Sequence, residues 1–346
     1  MKLLVTGGAG FIGSAFVRMM LAGDEVRELV VLDKLTYAGN LENLAPVASD
    51  PRYRFVRGDI CDAALVEQIM AGLRPDAVVH FAAESHVDRS ILSPAPVFET
   101  NLRGTFVLLE AARRNPPGLF VHVSTDEVYG SLPEPLEADE NFPLRPSSPY
   151  SASKAGSDLL AVSYFTTYRV PVIVTRASNN YGPYQFPEKL IPLMIANALE
   201  DRPLPVYGDG GHVRDWLYVE DHCRALAVLL EKGRPGEIYN IGGNCALPNL
   251  EVVRRILRIT GKPESLIRFV TDRPGHDRRY ALSSRKIEQE SGWKPETDFD
   301  QGLQNTVAWY RQNSGWVERV RSGEYQRYYE QNYLNREAEI RRLTRC

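Results

Sequence analysis

The chain has 346 residues, of which 43% are hydrophobic and 25% charged, so it can bury one large core or two closely joined ones. Lys and Arg total 41 against 44 for Asp and Glu, and the formal net charge of -3 gives no general attraction to nucleic acid or an anionic membrane. The apolar run from Leu3 ends at Thr6, too short for a secretion signal, and no other stretch is apolar and long enough to span a bilayer. We therefore expect a cytoplasmic protein with no nucleic-acid or membrane partner, in which local side chains hold any anionic ligand.

The four cysteines, Cys61, Cys223, Cys245 and Cys346, lack the close spacing of a metal site. They are also too sparse for a disulfide scaffold in a chain of this length. We interpret them as reduced thiols, and the sequence predicts no metal centre.

The first half of the chain alternates short β-rich runs with amphipathic segments, a pattern typical of βαβ units around a parallel sheet. Buried strands are predicted at Lys2–Val5, Leu29–Leu32, Ala77–Phe81, Leu119–Val123 and Pro171–Thr175. Apolar residues at helical spacing predict helices at Ile12–Leu21, Ala63–Ala71 and Val97–Ala112. The fold class is therefore α/β, with a doubly wound parallel Rossmann sheet.

After Arg176 the alternation weakens and glycine- and proline-containing loops follow. A helix at Val219–Leu230 and a strand at Glu237–Ile241 resemble the earlier units, so we expect the chain to return to the sheet. We predict a first domain of residues 1–178 and 216–243, and a smaller, discontinuous C-terminal substrate-binding domain of residues 179–215 and 244–346. The Arg- and Tyr-rich end, Arg319–Cys346, predicts a solvated terminal helix.

Gly7, Gly10 and Gly13 follow the first predicted strand and open the first helix. Together with Gly8 they fit both GxGxxG and GxxGxxG. Such a loop supplies a tight turn, a close backbone approach to a pyrophosphate, and a helix N-terminus whose free N–H groups favour an anion. The alternative is a plain glycine turn, but this position predicts that the first domain binds a dinucleotide.

Asp33 ends the second strand, 20 residues after Gly13, where a carboxylate can bind ribose hydroxyls and repel a 2′-phosphate. NAD is therefore favoured over NADP, although Lys34 could soften that preference. Asp59 and Ile60 are expected beside the adenine, with a surface turn as the alternative.

Tyr150 and Lys154 stand at positions i and i+4 and therefore on one helix face. The ammonium group of Lys154 is expected to lower the pKa of the Tyr150 phenol, so that the phenolate can take a hydroxyl proton while hydride leaves the same carbon. A YxxxK pair alone is weak, but it follows a strand ending in Thr125, which is expected to bond the reacting hydroxyl.

Asp126 and Glu127 directly follow Thr125, at the carboxyl edge where α/β sheets bind ligands. Elimination of water beside a ketone needs one base and one acid, and two carboxyl groups in different environments can divide those roles. A solvated acidic loop or a helix cap is the alternative interpretation of this pair.

Four runs along the chain, DKLTYAGN from Asp33, AAESHVDRS from Ala82, STDEVYG from Ser124 and DRPGHD from Asp272, resemble the dTDP-glucose 4,6-dehydratases of the extended short-chain dehydrogenase family. The likeness covers nearly the whole chain and fades only toward its end. Related epimerases and decarboxylases share the glycine motif and the Tyr-Lys pair, whereas the Asp-Glu pair after Thr125 is the mark of the dehydratases.

The resemblance implies that Tyr150 is the base for oxidation at C4 of the hexose, Asp126 the acid at the C6 hydroxyl and Glu127 the base at C5. Hydride held as NADH then returns to C6, so the product is a 4-keto-6-deoxy sugar nucleotide and water. With Thr125 and Lys154, these residues form the predicted catalytic set.

The family's NAD contacts correspond here to a larger set of residues: Gly7, Gly10, Phe11, Ile12, Gly13, Asp33, Lys34, Leu35, Thr36, Asp59, Ile60, Phe81, Ala82, Ala83, Ser85, Thr100, Tyr150, Lys154 and Asn180. Its substrate contacts correspond to Ser85, Thr125, Asn179, Lys189, Leu190, Pro205, Val206, Tyr207, Arg214, Asn249, Asp272, Arg273, Pro274, Gly275 and His276. Arg214 and Arg273 are expected at the diphosphate, and Pro205–Tyr207 beside the base. For His86 and His276, structural hydrogen bonding and direct ligand contact both stay open.

Three alternatives remain. A C4 epimerase would use NAD and Tyr150 without an elimination pair, a related dehydratase would act on a UDP- or CDP-hexose, and a silent NAD-binding scaffold would lack turnover. The helices around Val97–Ala112 and Tyr150–Tyr168 are apolar on more than one face. The resemblance implies that they pair with a second copy in a four-helix bundle, which predicts a homodimer.

Overall fold

The computed structural model describes residues 1–321 of the chain. Nearly all of the predicted terminal helix, Arg319–Cys346, lies outside the described residues. No helix in the described part is both long and apolar enough to cross a membrane.

A seven-stranded parallel sheet lies at the centre of the fold. Its spatial order is β3-β2-β1-β4-β5-β6-β10. The strands are β1 (Lys2–Thr6), β2 (Glu28–Asp33), β3 (Tyr53–Arg57), β4 (Ala77–His80), β5 (Leu119–Thr125), β6 (Val172–Ala177) and β10 (Ile238–Ile241). The order reverses between β1 and β4, which is the switch point where doubly wound sheets bind ligands. The predicted Rossmann sheet is confirmed, and the strand bounds agree within two residues.

Helices cover both faces of the sheet because its strands are apolar on both sides. The helices of this half are α1 (Phe11–Ala22), α2 (Ala63–Leu73), α3 (Val87–Leu92), α4 (Ala95–Phe98), α5 (Thr105–Arg114), α6 (Pro149–Tyr168) and α8 (Val219–Lys232). Side chains from α1 and α8 pack in the core on one face, and side chains from α2, α5 and α6 pack in the core on the other.

One helix predicted as continuous is interrupted in the structure. The sequence predicts a single helix over Val97–Ala112, whereas a π-helical segment, Glu99–Gly104, separates α4 from α5. The local backbone widens there, and the segment carries Thr100 to the wall of the large cavity described below. Because a π-segment interrupts a helix without breaking its apolar pattern, it leaves no mark in the periodicity.

The rest of the described chain forms two small sheets and a helical layer. β7 (Asn179–Tyr181), β9 (Val213–Tyr218) and β11 (Ala246–Pro248) make one sheet, and β8 (Leu204–Tyr207) pairs with β12 (Ile267–Val270). The helices are α7 (Leu190–Leu199), α9 (Asn249–Thr260), α10 (Arg285–Ser291), α11 (Phe299–Gln312) and α12 (Ser314–Val320). Most of these elements share a third apolar core. The exact domain boundaries stay a prediction.

Candidate active site

One cavity of about 410 Å³ runs along the carboxyl edge of the sheet and between the two halves of the chain. Its wall contains all five predicted catalytic residues and most of the predicted cofactor and substrate residues. The parallel strands explain the convergence, since each of them ends at this edge and delivers the next few residues to it.

The glycine loop is packed too tightly to hold larger residues. A Cβ on Gly7 would lie 2.5 Å from the Ala82 backbone nitrogen, and Gly7 has a φ of +71°. A Cβ on Gly13 would lie 2.3 Å from the Gly7 carbonyl oxygen. Helix α1 then begins with no side-chain cap and no acidic residue in its first turn, so its N–H groups and dipole are open to an anion. These features fit a dinucleotide pyrophosphate.

Asp33 is fixed by the backbone around it. Its Oδ2 accepts a hydrogen bond from the Ala9 N–H at 2.9 Å, and its Oδ1 accepts one from Leu35 at 2.8 Å. Lys34 is not directed to a phosphate, because its ammonium lies 2.6 Å from the Asp59 carboxylate. Burial raises the pKa of Asp33, and the two backbone N–H groups oppose that rise. An acidic side chain at the end of β2, with Lys34 paired to Asp59, fits NAD rather than NADP.

Thr125 ends β5, and its hydroxyl caps the following 3-10 turn, Asp126–Tyr129, by accepting from the Glu127 N–H at 3.3 Å. Thr125 Oγ1 also donates to Asp126 Oδ1 at 3.2 Å. The turn buries Asp126 fully and leaves Glu127 half-buried. Two adjacent acids thereby receive different surroundings, as the acid and base roles require.

Burial raises the pKa of Asp126 well above its ordinary value, and the neighbouring carboxylates of Glu127 and Asp215 raise it further. This direction favours the protonated form of the Asp126 carboxyl group, which is the form a general acid needs. Its Oδ2 has no hydrogen-bond partner among residues 1–321.

Helix α6 presents the tyrosine–lysine pair. It begins with a capping box formed by Ser148 and Ser151, which fixes Tyr150 in the first turn. Lys154 Nζ donates to the Val123 carbonyl at 2.8 Å. Burial lowers the pKa of Lys154 to about 8, against the opposing effect of the Asp158 carboxylate.

The sequence predicts a lowered pKa for Tyr150, whereas its surroundings in the structure raise that pKa. Burial raises the pKa of Tyr150, the carboxylates of Glu127 and Asp126 add to the rise, and a hydrogen bond with Thr125 opposes it. The reason is that the phenol is buried and that two acidic side chains face it.

On the substrate side, Arg214 is buried and held by carbonyl oxygens. Its Nη2 donates to Asp277 at 2.8 Å, and its guanidinium lies 4.1 Å above the Tyr280 ring. Arg273 pairs with Asp88 at 3.4 Å. Among residues 1–321, Arg273 Nε and the side-chain oxygens of Asn179 and Asn249 are buried without a hydrogen-bond partner, and all three residues line the cavity. Such orphaned atoms indicate a polar ligand.

Four predicted contact residues do not reach the cavity wall: Leu35, Asp272, Pro274 and Gly275. Leu35 packs against the core beneath the sheet edge and contributes only its backbone N–H. Asp272 turns toward His212 and His276 instead. Pro274 and Gly275 form an exposed turn, where Gly275 has a φ of +65°.

The sequence analysis missed Tyr280. Its hydroxyl lies 2.9 Å from Asp277 Oδ2 and 3.4 Å from Glu127 Oε2, so it stands beside the predicted C5 base. The sequence holds one weak signal for a role of Tyr280 in the site, because this residue closely follows the DRPGHD run. Glu188 was also missed; it is buried in the cavity wall, and burial raises its pKa to about 7.

His86 is buried, and its ring accepts from the Arg89 N–H at the start of α3. His276 lines the cavity and also bonds Asp272. Both histidines therefore have structural hydrogen bonds, and both also line the cavity.

A parallel sheet that leads a glycine loop and a tyrosine–lysine helix into one cavity defines an NAD-dependent enzyme of the extended short-chain dehydrogenase type. Comparisons with known proteins narrow this class. The family model described as GDP-mannose 4,6 dehydratase matches residues 4–306. A dTDP-glucose 4,6-dehydratase of Shigella flexneri is 54% identical, over 97% of this chain and all of its own length.

Solved structures agree. The dTDP-glucose 4,6-dehydratase DesIV of Streptomyces venezuelae, solved with NAD and dTDP bound, is 55% identical with a TM-score of 0.90, over 92% of this chain and 100% of that one. A UDP-glucose 4-epimerase of Thermus thermophilus in complex with NAD is more distant, at 36% identity and a TM-score of 0.84. The match covers 90% of this chain and 100% of that one. The chain belongs to the dTDP-glucose 4,6-dehydratase family of NAD-dependent hydro-lyases.

Proposed function

We propose that the protein converts dTDP-glucose into dTDP-4-keto-6-deoxyglucose and water, with the roles below for its own residues. The observation that carries the proposal is the pairing of a buried Asp126, whose pKa is raised by burial, with a half-buried Glu127 on the turn that follows β5. An epimerase at C4 needs no such pair, because it eliminates nothing.

NAD fits the glycine loop, the open N-terminus of α1 and the Asp33 carboxylate. When bound, it accepts hydride from C4 and returns hydride to C6. Thr100, carried by the π-helical segment, and Ala82 line the same cavity and are assigned to the cofactor.

Oxidation at C4 requires removal of the hydroxyl proton, which we assign to Tyr150. Thr125 Oγ1 stands at the end of β5 and orients the same hydroxyl. The ammonium group of Lys154 is assigned to stabilise the phenolate, and bound oxidised nicotinamide would add positive charge there. Both effects would oppose the burial and the acids that raise the pKa of Tyr150.

Elimination follows because the new ketone acidifies the C5 proton. Glu127 takes that proton, and Asp126 gives its own proton to the departing C6 hydroxyl, which leaves as water. Glu127 then returns its proton to C5. In one turnover Tyr150 gains a proton and Asp126 loses one, so exchange with solvent resets both groups and no net proton is consumed.

The diphosphate is assigned to Arg214 and Arg273. Both are largely buried in a protein whose net charge is negative, and Arg273 has an unpartnered Nε among the described residues. Guanidinium groups bind phosphate oxygens with paired hydrogen bonds. Asn249 and Lys189 stand beside them on the same wall.

A homodimer is also part of the proposal. Three large apolar side chains on neighbouring helices are exposed, namely Phe98 on α4, Phe106 on α5 and Leu159 on α6, with 42%, 46% and 63% of their surface accessible. Since α5 and α6 pack on each other, the same helices of a second copy complete a four-helix bundle. A cytoplasmic location is proposed with it, and cell fractionation tests that point.

Incubation with dTDP-glucose and mass spectrometry of the sugar nucleotide test the function. We expect a product lighter by one water and no stoichiometric release of NADH, because hydride is returned. UDP-glucose and CDP-glucose serve as matched substrates, and lower kcat/KM for both is expected. Isomerisation to the galactose form without loss of water would refute the dehydratase proposal.

A further inference from the structure

His222 lies in the first turn of α8 and is fully buried, yet it lines the cavity. Its Nδ1 is 3.0 Å from the side-chain oxygen of Asn180. Its Nε2 is buried and has no hydrogen-bond partner in the part of the chain that the structure describes. Because a buried polar atom without a hydrogen bond costs free energy, this nitrogen indicates a ligand that supplies the partner.

The hydrogen bonds of Asn180 decide which nitrogen of the ring carries the proton. The Asn180 side-chain nitrogen donates to the Ser178 carbonyl at 2.9 Å, so the amide oxygen is the atom that faces His222. Since that oxygen can only accept, His222 Nδ1 carries the proton. Burial lowers the pKa of His222 to about 3, which keeps the ring neutral near pH 7. Nε2 is therefore an acceptor, and its partner in a ligand is an N–H or O–H group rather than a phosphate oxygen.

Gln185 presents a second acceptor next to Asn180. Its side-chain nitrogen donates to the Asn180 carbonyl at 2.9 Å. Its side-chain oxygen is buried without a hydrogen-bond partner among the described residues, although Gln185 also lines the cavity. Two uncharged acceptors around one residue favour a neutral ligand group with more than one N–H or O–H bond.

The position of Asn180 in the fold indicates which part of the cofactor lies there. Asp33, which is assigned to the adenosine ribose, ends β2 on one side of the switch point. Asn180 follows β6 on the other side, next to β5, whose last residue Thr125 is assigned to the reacting hydroxyl. The nicotinamide end of NAD therefore belongs beside Asn180. Its carboxamide has an amino group with two N–H bonds, which matches the two acceptors.

We propose that His222 binds the carboxamide of the nicotinamide, with Nε2 accepting a hydrogen bond from its amino group while Nδ1–H holds Asn180. The proposal rests on the cofactor placement given under the proposed function, and it does not depend on the elimination of water.

The test compares NAD with its 3-acetylpyridine analogue, in which a methyl group replaces the amino group of the carboxamide. The full chain is equilibrated, without sugar nucleotide, in an excess of an equimolar mixture of the two oxidised cofactors. After removal of free cofactor, mass spectrometry of the bound fraction gives the ratio of their affinities. The wild type should favour NAD by about fivefold, the net effect of one hydrogen bond.

Two variants separate the two nitrogens of the ring. His222→Asn can place its amide nitrogen at Nδ1, so it keeps the bond to Asn180 and removes the acceptor; its preference for NAD should fall by about fivefold. His222→Gln can place its amide oxygen at Nε2 and should keep most of the preference. Glu220→Gln is the matched control, because Glu220 is exposed on the same helix, and it should give the wild-type ratio.

A wild type that binds both cofactors equally would overturn the inference without any variant. A preference that survives in His222→Asn, or one lost equally in His222→Asn and His222→Gln, would also overturn it, since the second result reduces the effect to packing. Thermal melting checks that each variant is folded, and His222→Leu replaces His222→Asn if the latter is not. A chain that shows the expected preference but turns over no sugar nucleotide would contradict the proposed function and support this inference.

Discussion

The carboxyl group of Asp126 is buried beside Thr125, whose hydroxyl donates to Oδ1 at 3.2 Å, while Oδ2 has no hydrogen-bond partner among residues 1–321. Burial raises the pKa of this carboxyl group, which favours its protonated form. A carboxyl group with a raised pKa and one oxygen without a partner at the cavity wall suits the protonation of a leaving hydroxyl.

Asp126→Asn should slow the loss of water by about 10² to 10⁴-fold, the usual contribution of a positioned acid. The amide matches the neutral carboxyl group in shape and charge, so NAD affinity and melting temperature should stay near wild type. Single-turnover mass spectrometry of the sugar nucleotide measures the effect. Glu137→Gln, at an exposed acid of the following loop, is the control, and a wild-type rate in Asp126→Asn would exclude the acid role.

Glu127→Gln should leave oxidation at C4 possible and suppress removal of the C5 proton. Reduced nicotinamide should then accumulate on the enzyme when dTDP-glucose is added, and its absorbance gives the yield. Deuterium incorporation at C5 in heavy water is the direct measurement. Entry of deuterium at the normal rate would show that another group is the base, and Tyr280, 3.4 Å from Glu127, would be examined next.

Tyr150→Phe should block the first hydride transfer, so reduced nicotinamide should not form at all, in contrast to Glu127→Gln. The rate of its appearance in a stopped-flow experiment tests this difference. Tyr168→Phe, at an exposed tyrosine on the same helix, should behave as wild type. Normal reduction in Tyr150→Phe would remove this tyrosine from the oxidation step.

The sequence predicted the sheet well because its buried strands carry uninterrupted apolar runs such as Val78 and Val79 in β4. The sequence pattern did not predict the bounds of strand β3. It lies at the sheet edge, and its Tyr53–Arg57 run includes two arginines and no fully buried residue, so it lacks the pattern of a central strand.

The residues to which we assign catalytic roles could be selected from the sequence because each belongs to a short local motif, and the structure brings them to one cavity. Tyr280 and His222 were not predicted in any role, because their partners come from distant parts of the chain and only the fold brings them together. The direction of the Tyr150 pKa was predicted wrongly for the same reason. Spacing places Lys154 on the same helix face, but it does not reveal how deeply the fold buries the phenol or that Glu127 of another element faces it.

Asp59→Asn should increase acceptance of NADP. Lys34 is held by Asp59 at 2.6 Å, and its release places a free ammonium beside the site where a 2′-phosphate would lie. An exposed ion pair is worth about 1 kcal/mol or less, so the NADP-to-NAD affinity ratio should rise by up to about fivefold. Titration with both cofactors measures it. Adding Lys34→Gln should cancel the gain, and a gain that persists would refute the explanation.

Leu159→Glu should produce a monomer, because it places a charge in the apolar surface that we assign to the four-helix bundle. Sedimentation velocity at micromolar concentration measures the mass. Leu136→Glu is the matched control, since Leu136 is also exposed but stands in the loop before α6. A wild type that sediments only as a monomer, or a dimer that survives Leu159→Glu, would refute this interface.

The rate should fall as pH rises above about 8, because burial lowers the pKa of Lys154 to about 8 and the ammonium form is lost above it. The Asp158 carboxylate, which pairs with Arg176 at 2.9 Å, raises the pKa of Lys154. Asp158→Asn should therefore move this alkaline limb of kcat/KM to lower pH by about one unit.

A second variant separates this effect from lost stability, since breaking the Asp158–Arg176 pair also removes a buried ion pair. Lys154→Arg keeps its positive charge at all pH values used, so any activity it retains should lack the limb near pH 8. Melting curves at pH 7 confirm that both variants are folded. If the alkaline limb stays at the same pH in Lys154→Arg, another group controls it, because an arginine cannot lose its proton in this range.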